Sequence, residues 1–231
     1  SKGVIYVFHG TGGAAANWFN FVDSRNLIGE VIADSFGIIV TEAEEITLNT
    51  DLNGDGNLRW LSTPLDSING IDFANIKIIT DTLINRGLMS YSTPKFSIGM
   101  SNGGFFSSIS SYLYNYKGAV SYCAPSPQTI CNVRNNPFAF RMAKYDNNPS
   151  VGSQGNYTAW QNDSTLASRG VCHNYLIQDH QPTYPERFAR ISGISIPTSQ
   201  AIFNELITNN QLNVKNYALP SDSIKTTIIA N

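Results

Sequence analysis

Six short apolar runs alternate along this chain with longer segments of helical period, and that alternation restricts the fold more than any other feature. The runs cover 4–8, 37–41, 96–99, 119–123, 138–145 and 174–178, and most lack the polar alternation of a half-exposed strand. Helical spacing is read over 21–36, 72–86, 103–116, 157–168 and 199–209, and Gly87 closes the second of these by offering a left-handed residue after Arg86. Apolar strands alternating with helices predict a doubly wound, mainly parallel sheet of about six or more strands with helices on both faces. No repeat, charge block or low-complexity linker divides the 231 residues, so one α/β domain over 1–231 is expected. In such a sheet ligands bind at the carboxyl ends of the strands, so chemistry is sought just after each strand.

At the end of the third run stands Gly99-Met100-Ser101-Asn102-Gly103-Gly104, followed at once by a helical segment. A G-x-S-x-G turn between strand and helix is so tight that only small residues fit two places either side of the serine, and it lifts the hydroxyl clear of the sheet. Ser101 is the candidate nucleophile. A serine needs a base. Of three histidines, His180 follows the last strand at its carboxyl end, His173 opens that strand at the opposite end, and His9 lies in a Gly-rich loop that it more plausibly shapes. His180 is the expected base. The orienting acid is expected after the strand between serine and histidine, where Asp146 stands. Asp163 falls within a predicted helix, and Asp179, next to His180, is expected to point the other way. His9-Gly10-Thr11-Gly12-Gly13 after the first strand can turn a backbone N–H toward a developing oxyanion, making Thr11 and Asn102 the candidate donors. The same loop lacks the spacing of a nucleotide-binding fingerprint.

These pieces together resemble the α/β hydrolases, and within them the polyhydroxybutyrate depolymerase and feruloyl esterase-like branch. The residues that carry the resemblance are the first loop, the Ser101 elbow, Asp146 and His180, which span most of the chain. The resemblance implies a secreted or periplasmic serine esterase acting through an acyl-enzyme on short-chain, aromatic or polyester-type esters, small or polymeric. A serine peptidase or acyltransferase would use the same triad.

Only about 14 residues separate Cys123 from the next strand, too few for a large lid, so an open site is expected. Trp18, Phe19, Trp60 and Tyr145 lie in or beside carboxyl-end loops and could form an aromatic substrate pocket, or belong to the core. Outside the hydrolase pattern, Asp51, Asn53 and Asp55 with Gly56 match the opening of a calcium loop, although Ser62 stands where the bidentate Glu belongs. A plain Asx turn is the competing reading, and Asp66 could complete a metal site. The chemistry requires no cofactor, leaving a structural calcium as the one ion the sequence offers a place for. A non-catalytic calcium-dependent binding module is the reading from a different class.

Composition excludes other classes. Fifteen Lys plus Arg against 17 Asp plus Glu leave no electrostatic footprint for nucleic acid. No apolar run approaches the roughly 20 residues of a membrane span, so the chain reads as soluble. Three cysteines allow at most one disulfide and form no zinc pattern. Low charge and the triplets at Asn156 and Asn162 suggest export, and the abrupt first strand suggests a processed N-terminus.

Overall fold

The computed structural model describes residues 1–146, 148, 151–219, 224, 227 and 228. The chain divides into two compact units, Ser1–Gln178 and Asp179–Asn231. The first holds a six-stranded sheet of β1 (Gly3–Phe8), β2 (Phe36–Val40), β3 (Lys95–Met100), β4 (Gly118–Tyr122), β5 (Phe138–Ala143) and β6 (His173–Gln178), in the order β2-β1-β3-β4-β5-β6. Every neighbouring pair is parallel. All six predicted strands are present, each within about two residues of its expected ends.

Side-chain alternation along β1 builds the two sides of the core. Val4, Tyr6 and Phe8 pack with Phe73 and Ile76 of α4 (Ile71–Asn85) and with Phe106 and Ile109 of α5 (Asn102–Leu113). Ile5 and Val7 pack on the opposite face with Ile28 of α2 (Val22–Ala33) and with Trp18 of the short α1 (Asn17–Asn20). On β5, Phe138, Phe140 and Met142 meet Ala159 and Leu166 of α7 (Gly152–Ser168). Strand β6 forms the sheet edge and is exposed along most of its length, unlike the strands covered on both faces that the apolar runs predicted.

The helices differ from expectation mainly at their ends. Helix α4 closes as predicted: Gly87 has φ +71°, its N–H reaches Ile84 O at 2.9 Å, and Leu88 N–H reaches Leu83 O at 3.0 Å. Helix α7 begins several residues earlier than residue 157. The short α1, α3 (Glu44–Leu48) and α6 (Gln128–Cys131) were not foreseen, because one turn of helix carries no measurable period. Between β4 and β5 stands only the four-residue α6, in keeping with the absence of a large lid.

The second unit contains a 3₁₀ turn at Arg187–Arg190 and α8 (Ile196–Thr208), capped by the Ser195 side chain, which accepts from Thr198 N–H. The isolated bridge Leu212↔Ala218 closes its hairpin.

Asp72, in the first turn of α4, is fully buried. Its Oδ1 accepts Glu44 N–H at 2.8 Å and its Oδ2 accepts Leu61 N–H at 2.6 Å. Burial, aided by the charges of Glu44 and Glu45, outweighs those two bonds and pushes its pKa up to about 6. The folded state therefore holds this proton more tightly than the unfolded chain, and stability is lost as pH rises from about 4 through about 6, on the order of 3 kcal/mol in all. The unfolding free energy of the natural protein minus that of Asp72→Asn, measured by urea unfolding, is expected to fall across that window. A flat or rising difference contradicts the assignment.

Candidate active site

Ser101 sits at the turn from β3 into α5 with φ 53° and ψ −124°, a conformation that side chains other than glycine rarely adopt. Its N–H is held by Tyr122 O of β4 at 2.7 Å. The surrounding glycines are required by contact. A Cβ on Gly99 would lie 1.9 Å from Gly103 O, and one on Gly103 would lie 2.2 Å from His9 O. One on Gly104 would lie 2.5 Å from the Ser121 hydroxyl. The predicted strand, tight serine turn and helix are all in place.

The first loop comes up beside this turn. A Cβ on Gly10 would stand 3.4 Å from Ser101 Cβ, which places the Thr11 backbone next to the serine. Among the described residues neither Thr11 N–H nor Asn102 N–H has an acceptor, the latter because it opens a helix. Two donors thus remain open on the loops flanking Ser101. His9 does not titrate into this chemistry. Its Nδ1 lies 2.7 Å from Gly10 O, its Nε2 accepts Ala43 N–H at 3.1 Å, and burial pushes its pKa down. It is a neutral imidazole that braces the loop, as expected from its position.

Asp146 follows the end of β5, with its Oδ1 accepting Asn148 N–H at 3.0 Å, and burial, aided by the Asp146 charge, pushes the pKa of the Cys123 thiol up. His180 is the second residue beyond the end of β6, in the second unit. Its Nδ1 stands 3.0 Å from Asp179 Oδ1, and the same carboxylate accepts the His180 N–H at 2.9 Å. The expectation that Asp179 points away from His180 is therefore corrected. The strand ends at Gln178, so beyond it side chains no longer alternate, and Asp179 folds back over its neighbour. His173 stands at the amino end of β6, level with Phe138, and its Nδ1 lies 2.8 Å from Asp163 Oδ1 of α7.

A cleft of about 720 Å³ opens at Ser101. Thr11, Asn102, Phe105 and Pro125 line it, and so does one whole wall from the 53–63 segment: Asn53, Asn57, Arg59, Trp60, Leu61, Ser62 and Thr63. Of the four aromatic residues proposed for a pocket, Trp60 lines the cleft while stacking on Phe106 at 4.7 Å. Trp18 is buried beneath α2 instead, and Phe19 and Tyr145 are exposed side chains outside the cleft lining. Carboxyl-end loops hold many aromatics, and only tertiary packing distinguishes those that turn inward.

The 51–59 loop, read from sequence as foreign to the hydrolase pattern, is part of that wall. Asp51 spends both carboxylate oxygens on the N–H groups of Gly54 and Gly56, at 2.7 Å each. Asp55 pairs with the Arg59 guanidinium, whose Nε donates at 2.9 Å, and Asp66 caps its own turn at Ile68 and Asn69. A calcium ion held by Asp51, Asn53 and Asp55 would compete with Arg59 for Asp55, and among the described residues no group of three His, Cys, Asp or Glu side chains is placed to hold a metal.

The three cysteines are free thiols. Of the two N-x-S/T asparagines, Asn162 is fully buried between Ser126 and Gln128, and the half-buried Asn156 donates to Ala143 O at 3.0 Å. Among the described residues no helix is long and apolar enough to cross a membrane.

No family model and no curated protein matches the sequence. Solved structures do match. An uncharacterized protein from Bacillus cereus has a TM-score of 0.53 at 11% identity over 90% of this chain, which spans 58% of that protein's length. A ferulic acid esterase has a TM-score of 0.51 at 10% identity over 77% of both chains. A carboxylesterase from Mesorhizobium loti has a TM-score of 0.50 at 14% identity, over 90% of this chain and 89% of its own. At these identities the likeness is one of architecture. A six-stranded parallel sheet wrapped by helices, with a strained serine turn after its third strand, gives this chain the fold of the α/β hydrolases.

Proposed function

We propose that the protein is a serine ester hydrolase that works through an acyl-enzyme. The observation that carries this reading is the Ser101 turn in the lining of a cleft, flanked by two N–H groups that have no acceptor among the described residues. Ser101 Oγ attacks the ester carbonyl while His180 takes its proton, and the N–H groups of Thr11 and Asn102 receive the oxyanion. Collapse expels the alcohol, protonated by His180, and water then releases the acid by the same route. Asp146 orients the imidazole. The 3.0 Å contact between Asp179 and His180 favours Asp179 as the second reading for that acid. Two of the structural relatives are named as esterases, which supports the ester class. The polyhydroxybutyrate depolymerase and feruloyl esterase-like branch supplies the substrate classes: short-chain, aromatic or polyester-type esters. No cofactor enters the steps. An exported location, secreted or periplasmic, belongs to the same reading and is supported by the low charge density of the chain.

Labelling by a fluorophosphonate probe tests the reading directly. Folded protein is expected to be modified at Ser101, and intact protein that resists the probe favours a non-catalytic binding module.

Substrate size follows from the cleft. Its wall mixes Asn53, Asn57 and Arg59 with Trp60 and Leu61, and among the described residues only the four-residue α6 stands between β4 and β5, which supports a site without a large lid at that position. Rates on p-nitrophenyl esters are expected to fall from acetate or butyrate toward palmitate. A maximum at palmitate, or a jump above the critical micelle concentration, points to a lipase.

A further inference from the structure

Four consecutive residues, 58–61, tie together the two loops that carry the candidate oxyanion donors. Leu58 O accepts the N–H of Gly12, next to Thr11, at 2.8 Å. Trp60 N–H donates to Asn102 Oδ1 at 2.8 Å, and its indole N–H donates to His9 O at 2.9 Å. The two residues alternating with these are held from behind by carboxylates. Arg59 N–H donates to Glu45 Oε2 at 2.9 Å, and Leu61 N–H to Asp72 Oδ2 at 2.6 Å. Each carboxylate accepts a second backbone N–H with its other oxygen, Glu45 from Leu52 and Asp72 from Glu44, both at 2.8 Å.

Glu45 and Asp72 are both 0% exposed, and among the described residues neither has a salt-bridge partner. Burying a carboxylate without a cation is costly, and apolar side chains of similar volume commonly serve stability as well or better. What a carboxylate does that an apolar group cannot is draw two N–H groups to fixed places. We propose that Glu45 and Asp72 are positioning residues that, through segment 58–61, set the separation of the Thr11 loop from Asn102 and so preorganise the oxyanion site. The inference rests on the esterase reading above. Donors aimed at developing charge contribute only if they are in place before the reaction, and that requires the parts carrying them to be held by a rigid surround. The Asn102 side chain transmits the constraint, because its amide bonds Trp60 while its own N–H faces the oxyanion.

Glu45→Gln and Asp72→Asn test this, since each amide keeps one acceptor and turns an NH₂ toward the other N–H. Steady-state kinetics on p-nitrophenyl acetate, run well below each variant's unfolding temperature, are expected to show kcat reduced about 10- to 100-fold with KM within about threefold. The rate of fluorophosphonate labelling should fall in step. Leu166→Ala, on the core face of α7, is the control for simple destabilisation and should lower Tm without changing kcat. Amide variants that lose stability yet keep the natural kcat, or that raise KM alone, overturn the proposal. Should either variant fail to fold, Asn102→Ala cuts the same tie at its other end, and full kcat in that variant overturns the proposal as well. A natural protein that hydrolyses nothing overturns the esterase reading along with this one, whereas an active protein with unaffected variants overturns this one alone.

Discussion

Ser101→Ala is expected to remove hydrolysis of short p-nitrophenyl esters, with a loss on the order of 10⁴–10⁶ in rate, while the protein stays folded. Ser101 lines the cleft and is half-buried on a turn, so the change should be felt chiefly in chemistry. Ser101→Gly adds a second, opposite readout. At φ 53° any side chain is strained, and glycine relieves that strain, so this variant should be equally inactive but more stable by about 1 kcal/mol. Circular dichroism melting and initial rates on the three proteins decide the matter. More than a tenth of the natural activity in either variant removes Ser101 from the nucleophile's role.

His180→Ala should match Ser101→Ala in severity, because without a base the serine hydroxyl is a poor nucleophile. His173→Ala should cost little activity. That imidazole sits at the amino end of β6, paired with Asp163, whereas the chemistry follows the carboxyl end of β3. If His173→Ala is the inactive variant, the base has been assigned to the wrong end of the strand. The same assay ranks the acids. Asp146→Asn is expected to cost on the order of 10⁴ in kcat, by analogy with loss of the orienting carboxylate in a serine triad. A larger loss in Asp179→Asn would transfer the role to the carboxylate that already contacts His180.

The strands and the serine turn were legible because their causes are local. An apolar run buried on both faces declares itself within five or six residues, and the clash that excludes a Cβ from Gly99 is with Gly103, inside a turn of five. The same locality explains why β6 ran against expectation: its sequence is strand-like, but exposure depends on its place at the sheet edge. It also explains Asp179, where the rule of alternation was carried one residue past the end of the strand.

The alternating α/β order, the tight turn at Ser101 and the loops from which the candidate base, acid and oxyanion donors come were all legible along the chain. Tertiary packing supplied everything around them. It sent Trp18 into the core and Trp60 to the cleft, placed the 51–59 loop in the cleft wall, and neutralised His9 between Gly10 and Ala43. It also brought Glu45 and Asp72 behind segment 58–61, across separations of 14 and 11 residues, and Asn102 in front of it across 42. Such ties join a side chain to a backbone N–H, a group that every residue except proline carries, so no pattern of residue types marks them along the chain.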